Sequence, residues 1–124
     1  MSRKILVIDD EDDIREVAQV CLEMVGGWEV VAARSGLEGI NKARTDQPDA
    51  ILLDVMMPEM DGPTTWQKLQ DDEQTKHIPV ILLTAKVQAA DQRRFASLGV
   101  NGVITKPFDP MNLSNEVSTT LGWS

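Results

Sequence analysis

Four short apolar runs, each followed directly by polar residues, constrain the fold of this chain more than any other feature. The runs occupy residues 5–8, 50–53, 80–83 and 102–105. Unbroken apolar runs of this length are typical of strands buried on both faces of a parallel sheet. Because ligands bind at the carboxyl ends of strands in open sheets of that kind, the polar residues after the runs are predicted to form one site. These residues are Asp9, Asp10, Asp54, Thr84 and Lys106.

Helical patterns lie between the runs and complete five strand–helix units. A more alternating stretch at 28–31 predicts an edge strand. The predicted helices cover 12–25 and 88–98, and three others begin near Ser35, Pro63 and Asp109. Five such units predict an α/β fold, a doubly wound flavodoxin-like sandwich with helices on both faces of a five-stranded parallel sheet. The usual strand order of that fold is 2-1-3-4-5.

A second helix is predicted to follow the edge strand. Leu37, Ile40 and Ala43 recur there at helical spacing. Ser35 and Glu38 have the spacing of a capping box, in which the serine side chain accepts a hydrogen bond from a backbone amide of the first turn. The pair therefore predicts where this helix begins.

Length and charge limit the range of functions. A chain of 124 residues predicts one domain over residues 1–124, and we expect no output domain after the fifth helix. A net charge of −8 argues against binding to nucleic acid or to an anionic membrane surface. No apolar stretch reaches the roughly 20 residues that span a bilayer. The single cysteine and the lack of room for a signal peptide favour a cytoplasmic location.

The polar residues at the strand ends suit phosphoryl chemistry. Two carboxylates ~4 Å apart repel by roughly 4 kcal/mol at an effective dielectric constant near 20, so such a cluster must take up a proton or bind a cation. Carboxylate oxygens favour a hard ion, and a phosphate-handling site favours Mg²⁺. Lys106 and Thr84 add a positive charge and a hydroxyl donor. Asp54 stands alone at its strand end and is the best candidate for a nucleophile.

At this point the chain resembles a known family, the response-regulator receiver domains of two-component signalling, in their stand-alone, chemotaxis-regulator-like form. The resemblance covers essentially the whole chain in order. The segments that carry it are Asp9–Asp10, Asp54–Val55–Met56–Met57–Pro58, Asp61–Gly62, Thr84–Ala85 and Lys106–Pro107–Phe108. It implies that Asp54 accepts a phosphoryl group from a phosphohistidine on a sensor histidine kinase or a histidine phosphotransfer protein.

The resemblance also implies roles for the other site residues. Asp10 and Asp54 would bind Mg²⁺ directly, together with the backbone carbonyl of Met56, while Asp9 would act through water. Thr84 would move to hydrogen-bond a phosphoryl oxygen. Lys106 would form an ion pair with the phosphoryl group. The peptide bond between Lys106 and Pro107 would be cis. Independently of the resemblance, the acids at 11–13 are expected only to complement a helix dipole.

Three positions are predicted to tune or alter the usual switch. Receivers often carry tyrosine or phenylalanine three residues before the lysine, whereas this chain has Val103 there. A valine cannot swing an aromatic ring in and out of the fold. Met56 and Lys86 each follow a key site residue by two positions, and we hypothesise that they set the lifetime of the phosphorylated state.

Two other functions compete with the signalling module. One is a degenerate receiver that acts as a phosphorylation-independent scaffold, which Val103 supports. The other is a Mg²⁺-dependent aspartyl phosphohydrolase similar to haloacid dehalogenases, in which a second aspartate follows the nucleophile by two residues. Met56 occupies that position and cannot donate a proton. We therefore expect no enzymatic activity beyond self-phosphorylation and slow hydrolysis, with output through contact with an unknown protein target or through onward phosphotransfer.

Overall fold

Strands and helices alternate along the chain in a computed structural model that describes residues 3–85 and 89–123. Within these residues the strands are β1 (Lys4–Ile8), β2 (Glu29–Ala33), β3 (Ala50–Asp54), β4 (Val80–Thr84) and β5 (Gly102–Thr105). The α-helices are α1 (Asp12–Met24), α2 (Gly36–Asp46), α3 (Gly62–Gln70), α4 (Ala89–Ser97) and α5 (Leu113–Leu121). A short 3₁₀ helix, Pro110–Asn112, leads directly into α5.

The strands form one parallel sheet in the order β2-β1-β3-β4-β5. This confirms the predicted fold and strand order. The register pairs Ile8 with Leu53 across β1 and β3, and Thr84 with Thr105 across β4 and β5. The polar residues that end or follow these strands therefore come to the same edge of the sheet.

The central strands are buried on both faces, as their unbroken apolar sequences predict. One face of the sheet packs Leu6, Ile8, Leu53 and Leu82 against α2, α3 and α4 residues such as Phe95. The other face packs Ile5, Val7, Leu52 and Ile81 against residues of α1 and α5 such as Leu22 and Val117. Two apolar layers thus hold the sheet rigidly below the polar edge.

The predicted cap of α2 is confirmed at Ser35, Asp61 is a further cap that the sequence analysis did not name, and the start of the fifth helix differs from the prediction. The Ser35 side chain accepts a hydrogen bond from the Glu38 amide, and Asp61 caps α3 by accepting one from the Thr64 amide. Asp109 caps the 3₁₀ helix and not α5 itself. Its carbonyl accepts the amide of Asn112, three residues on, which is the bond that defines a 3₁₀ turn.

Of the three apolar residues that the sequence analysis placed on α2, Ile40 and Ala43 are buried, whereas Leu37 is 63% exposed. The points at which α2 comes closest to β1 and α3 are occupied by glycines. A Cβ on Gly39 would lie 2.3 Å from Cδ1 of Ile8, and a Cβ on Gly36 would lie 2.3 Å from the Thr65 hydroxyl. Because α2 turns its glycines toward the sheet and α3, Leu37 is left on the outer side.

The close packing of Gly39 against Ile8 gives a test of this arrangement. Replacing Gly39 by alanine should destabilise the protein by roughly 1–3 kcal/mol, the usual cost of overpacking a core. Thermal or urea unfolding would measure it. Shortening the neighbouring side chain with Ile8→Val should recover part of the loss in the double variant. Simple addition of the two single-variant costs would contradict the proposed contact.

Candidate functional site

Three of the predicted site residues are buried at the carboxyl edge of the sheet. Asp9 directly follows β1, while Asp54 and Thr84 are the last residues of β3 and β4. All three side chains are almost fully inaccessible to solvent. Buried carboxylates are rare unless they are paired or bind a cation. Their placement therefore marks this edge as a functional site.

Lys106 joins two of these carboxylates. Its Nζ lies 2.7 Å from Asp9 Oδ2 and 3.0 Å from Asp54 Oδ1. Its side chain is 11% exposed. Burial alone would lower the pKa of Lys106, but the hydrogen bonds and the charges of Asp9 and Asp54 outweigh it and raise the pKa above the ordinary value of 10.5. The ammonium group therefore stays charged at neutral pH.

Both oxygens of Asp9 already have partners within the protein. Oδ2 binds Lys106, and Oδ1 accepts a hydrogen bond from the Glu11 amide at 2.9 Å. The Asp9 amide in turn donates to the carbonyl of Ala33 on β2. Asp9 is therefore a fixed part of the turn between β1 and α1.

Two carboxylate oxygens in the site have no such partner among residues 3–85 and 89–123. Asp10 Oδ1 and Asp54 Oδ2 are shielded from solvent, and neither atom accepts a hydrogen bond from a donor in this part of the chain. One carboxylate oxygen from each of Asp9, Glu11 and Asp54 also lies within 4.8 Å of the others. Shielded oxygens without donors are costly unless a cation or a proton meets them. The donor set, which is made of carboxylate oxygens, suits a hard divalent cation.

Asp54 is the most perturbed acid of the site. Burial is the largest cause and raises its pKa, and the hydrogen bond and charge of Lys106 oppose the rise. Repulsion from Asp9 and a hydrogen bond between the Asp54 and Asp10 carboxyl groups raise the pKa further. The result is a pKa of about 7. Without a cation, a substantial fraction of Asp54 is thus protonated at neutral pH.

Three of the four remaining predicted residues belong to the described part of the chain. The side chain of Met56, two residues after Asp54, is exposed. Val103 lies on β5 and packs against the apolar layer on the face of the sheet that α2, α3 and α4 cover. The bond between Lys106 and Pro107 is cis. Lys86 lies outside the described residues.

Glu11 is a site residue that the sequence analysis assigned only to the helix dipole. It is the N-cap residue of α1, but its side chain makes no capping hydrogen bond. Its Oε1 lies 3.6 Å from Lys106 Nζ. The feature of the sequence that could have indicated this role is the position of Glu11 two residues after Asp9. The turn that follows β1 brings both side chains toward Lys106.

Buried carboxylates next to a lysine, at the carboxyl edge of a parallel five-stranded sheet, suit the binding of a cation and of a phosphoryl group. The family model of the response regulator receiver domain matches residues 5–118. The chain belongs to this family, which confirms the resemblance seen in the sequence. It is thus a receiver domain of the two-component systems.

Two of the relatives differ in length. The chain is 39% identical over 121 residues to the alkaline phosphatase synthesis transcriptional regulatory protein PhoP of Bacillus subtilis, covering 98% of this chain and 49% of PhoP. It is 32% identical over 122 residues to the polar-differentiation response regulator DivK of Brucella ovis, covering 98% of each. The chain thus spans about half the length of the first relative and nearly all of the second.

A solved structure shares the same architecture. The receiver domain of the sensor histidine kinase PA1611 from Pseudomonas aeruginosa superposes with a TM-score of 0.86 at 25% identity, covering 98% of this chain and 99% of that one. That structure has a magnesium ion coordinated in its active-site cleft. Among residues 3–85 and 89–123 of the present chain, no helix has the length and apolar character needed to cross a membrane.

The raised pKa of Asp54 predicts how stability depends on pH. In the folded state without metal, Asp54 holds its proton up to about pH 7, whereas an unfolded aspartate releases it near 3.8. The contribution of this group to stability is therefore greatest below pH 3.8 and is lost as pH rises toward 7 and above. In Asp54→Asn this loss should vanish, so the variant should melt several degrees higher than wild type at pH 8 in EDTA.

Thermal unfolding from pH 5 to pH 8 would check this, with Asp71→Asn as a control because Asp71 is exposed. A melting difference between wild type and Asp54→Asn that stays constant over this range would contradict the assignment.

Proposed function

We propose that Asp54 is the phosphoacceptor, and that it takes a phosphoryl group from the phosphohistidine of a sensor histidine kinase or a histidine phosphotransfer protein. The observation that carries the proposal is the asymmetry of the Asp54 carboxylate. Oδ1 is bound by Lys106, whereas Oδ2 is shielded and meets no donor among the described residues. Oδ2 therefore has its lone pairs available for a cation, while the ammonium group on Oδ1 is in place to pair with a phosphoryl group transferred to Asp54.

The transfer exchanges one bond for another. A carboxylate oxygen of Asp54 forms a bond to phosphorus, the bond from phosphorus to the histidine nitrogen breaks, and its electron pair stays on the imidazole. Asp54 must be ionised to act. Because its pKa is about 7 without a cation, a bound cation favours the reactive form by stabilising the charged carboxylate.

We propose Mg²⁺ as that cation, held by Asp10, Asp54 and the Met56 carbonyl. Support comes from the two shielded oxygens without donors, on Asp10 and Asp54, and from the magnesium ion in the related P. aeruginosa receiver. When bound, Mg²⁺ supplies positive charge that stabilises the transferring phosphoryl group. Asp9 has both oxygens occupied by Lys106 and the Glu11 amide, which agrees with a role through water.

Lys106 and Thr84 are proposed to stabilise the product. Lys106 already contacts Asp54 Oδ1 at 3.0 Å, so its ammonium is in place to pair with a phosphoryl oxygen on the same residue. Thr84 ends the neighbouring strand and is buried beside it. A hydroxyl at that position can donate to another phosphoryl oxygen after a small movement.

The output is proposed to be contact with a protein target or onward phosphotransfer, and not catalysis on a small substrate. The face formed by α4, β5 and α5 is the proposed contact surface, and Val103 on β5 changes it by removing the aromatic ring. The net charge of −8 is unfavourable for direct binding to nucleic acid or membrane. We also propose that the protein acts in the cytoplasm, where histidine kinases present their phosphohistidine.

The test is the intact mass after incubation with acetyl phosphate and Mg²⁺. Wild type should gain one phosphoryl group, and Asp54→Asn or removal of Mg²⁺ by EDTA should abolish the gain. Asp71→Asn should behave like wild type because Asp71 is exposed and lies outside the site. A wild-type protein that gains no phosphoryl group, and that also fails to bind beryllofluoride, would contradict the proposal and favour a phosphorylation-independent scaffold.

Met56 offers a separate test of how long the phosphoryl group persists. Its side chain is exposed beside the acceptor, where it can hinder the approach of water to phosphorus. Met56→Ala should shorten the half-life of the phosphorylated protein several-fold, measured by the decay of the mass adduct after the phosphodonor is removed. Met111→Ala, which trims another exposed methionine, should leave the half-life unchanged. Equal decay in all three proteins would disprove a role for Met56.

A further inference from the structure

Arg15 reaches back from the first turns of α1 to the turn that carries the acidic residues. Its Nη1 donates a hydrogen bond to the carbonyl oxygen of Asp9 at 2.8 Å. Its Nη2 pairs with the carboxylate of Asp12. The Arg15 side chain is only 13% exposed. The guanidinium group is therefore held between a backbone carbonyl and an acid, with little of its surface in water.

The carbonyl that Arg15 binds belongs to the peptide between Asp9 and Asp10. Because a peptide unit is planar, a hydrogen bond to its oxygen also orients the amide and the Cα of Asp10. The Asp10 carboxylate, with its shielded Oδ1, projects from that Cα. Arg15 therefore acts on the direction in which Asp10 points without touching the carboxylate.

The positive charge of Arg15 opposes the binding of a cation at the same site. A guanidinium close to a cluster of carboxylates repels a cation that approaches the cluster. If charge were all that mattered, removal of Arg15 would strengthen cation binding. If the hydrogen bond to Asp9 matters more, removal would weaken it. The two effects have opposite signs, which makes them separable by experiment.

We propose that Arg15 is a positioning residue for the cation site, holding the peptide between Asp9 and Asp10 so that the Asp10 and Asp54 carboxylates face one ion. The proposal rests on the proposed function, because it assumes that these carboxylates bind Mg²⁺. It adds a residue outside the acidic cluster to the machinery of the site. Residues that orient metal ligands typically change metal affinity by tenfold or more when they are removed.

The experiment measures binding of Mg²⁺ alone, by calorimetric titration at constant ionic strength. Arg15→Gln should bind Mg²⁺ about tenfold more weakly than wild type. Arg15→Lys, which keeps the charge and one donor, should recover part of the affinity. With acetyl phosphate, Arg15→Gln should need correspondingly more Mg²⁺ for half-maximal phosphorylation but reach nearly the wild-type rate at saturation.

A matched control separates position from charge. Arg44 also pairs with an aspartate, Asp72, but at the far end of α2 from the site. Arg44→Gln removes the same charge and a comparable ion pair, so its Mg²⁺ affinity should equal or slightly exceed that of wild type. Melting curves in EDTA would show that each variant is folded, and Arg15→Lys alone carries the test if Arg15→Gln does not fold.

Each outcome decides the matter. If Arg15→Gln binds Mg²⁺ as tightly as Arg44→Gln or more tightly, the positioning role is overturned and the cation site stands. If only Arg15→Lys folds, a Mg²⁺ affinity equal to that of wild type overturns the positioning role in the same way. A wild-type protein that binds no Mg²⁺ would overturn the cation site and the role of Arg15 together. Weaker binding confined to the Arg15 variants supports the proposal.

Discussion

The buried contact between Lys106 and the carboxylates of Asp9 and Asp54 is the interaction on which the rest of the site depends. It connects residues 97 and 52 positions apart in the chain, and it links the ends of β1, β3 and β5. Two carboxylates next to one ammonium do not balance in charge. The Asp10 carboxylate, whose Oδ1 is shielded, adds to the imbalance, so this edge of the folded protein has an excess of negative charge.

The excess of negative charge lowers the stability of the folded protein at the same residues that carry its proposed function. Burying Asp54 as a charged group is unfavourable, as its pKa of about 7 shows. A core packed on both faces of the sheet holds the strand ends in place in spite of that cost. The chemistry of the site therefore depends on apolar residues such as Leu53 and Leu82 that never touch a phosphoryl group.

Much of the fold could be predicted from the sequence because the buried strands of a parallel sheet have an unmistakable pattern. The runs that end in Asp54 and Thr84 revealed both the strands and the edge where the site lies. The outward position of Leu37 could not be predicted, because spacing alone does not show that glycines on the same helix face make the closest contacts. The positions of Glu11 and Arg15 depended on the path of the turn after β1, which only the folded chain defines.

The two oxygens of Asp54 have a consequence for the geometry of the proposed encounter with a phosphodonor. One oxygen is held by the ammonium group and the other is shielded and proposed to bind the cation, so the two oxygens are not equivalent to an incoming phosphoryl group. An in-line displacement requires the entering oxygen, the phosphorus and the departing nitrogen to lie on one axis. The buried end of β3 holds the attacking oxygen in place, so its lone pairs select one direction of approach. Two rigid proteins that meet along that direction have one mutual orientation in which the proposed transfer can occur.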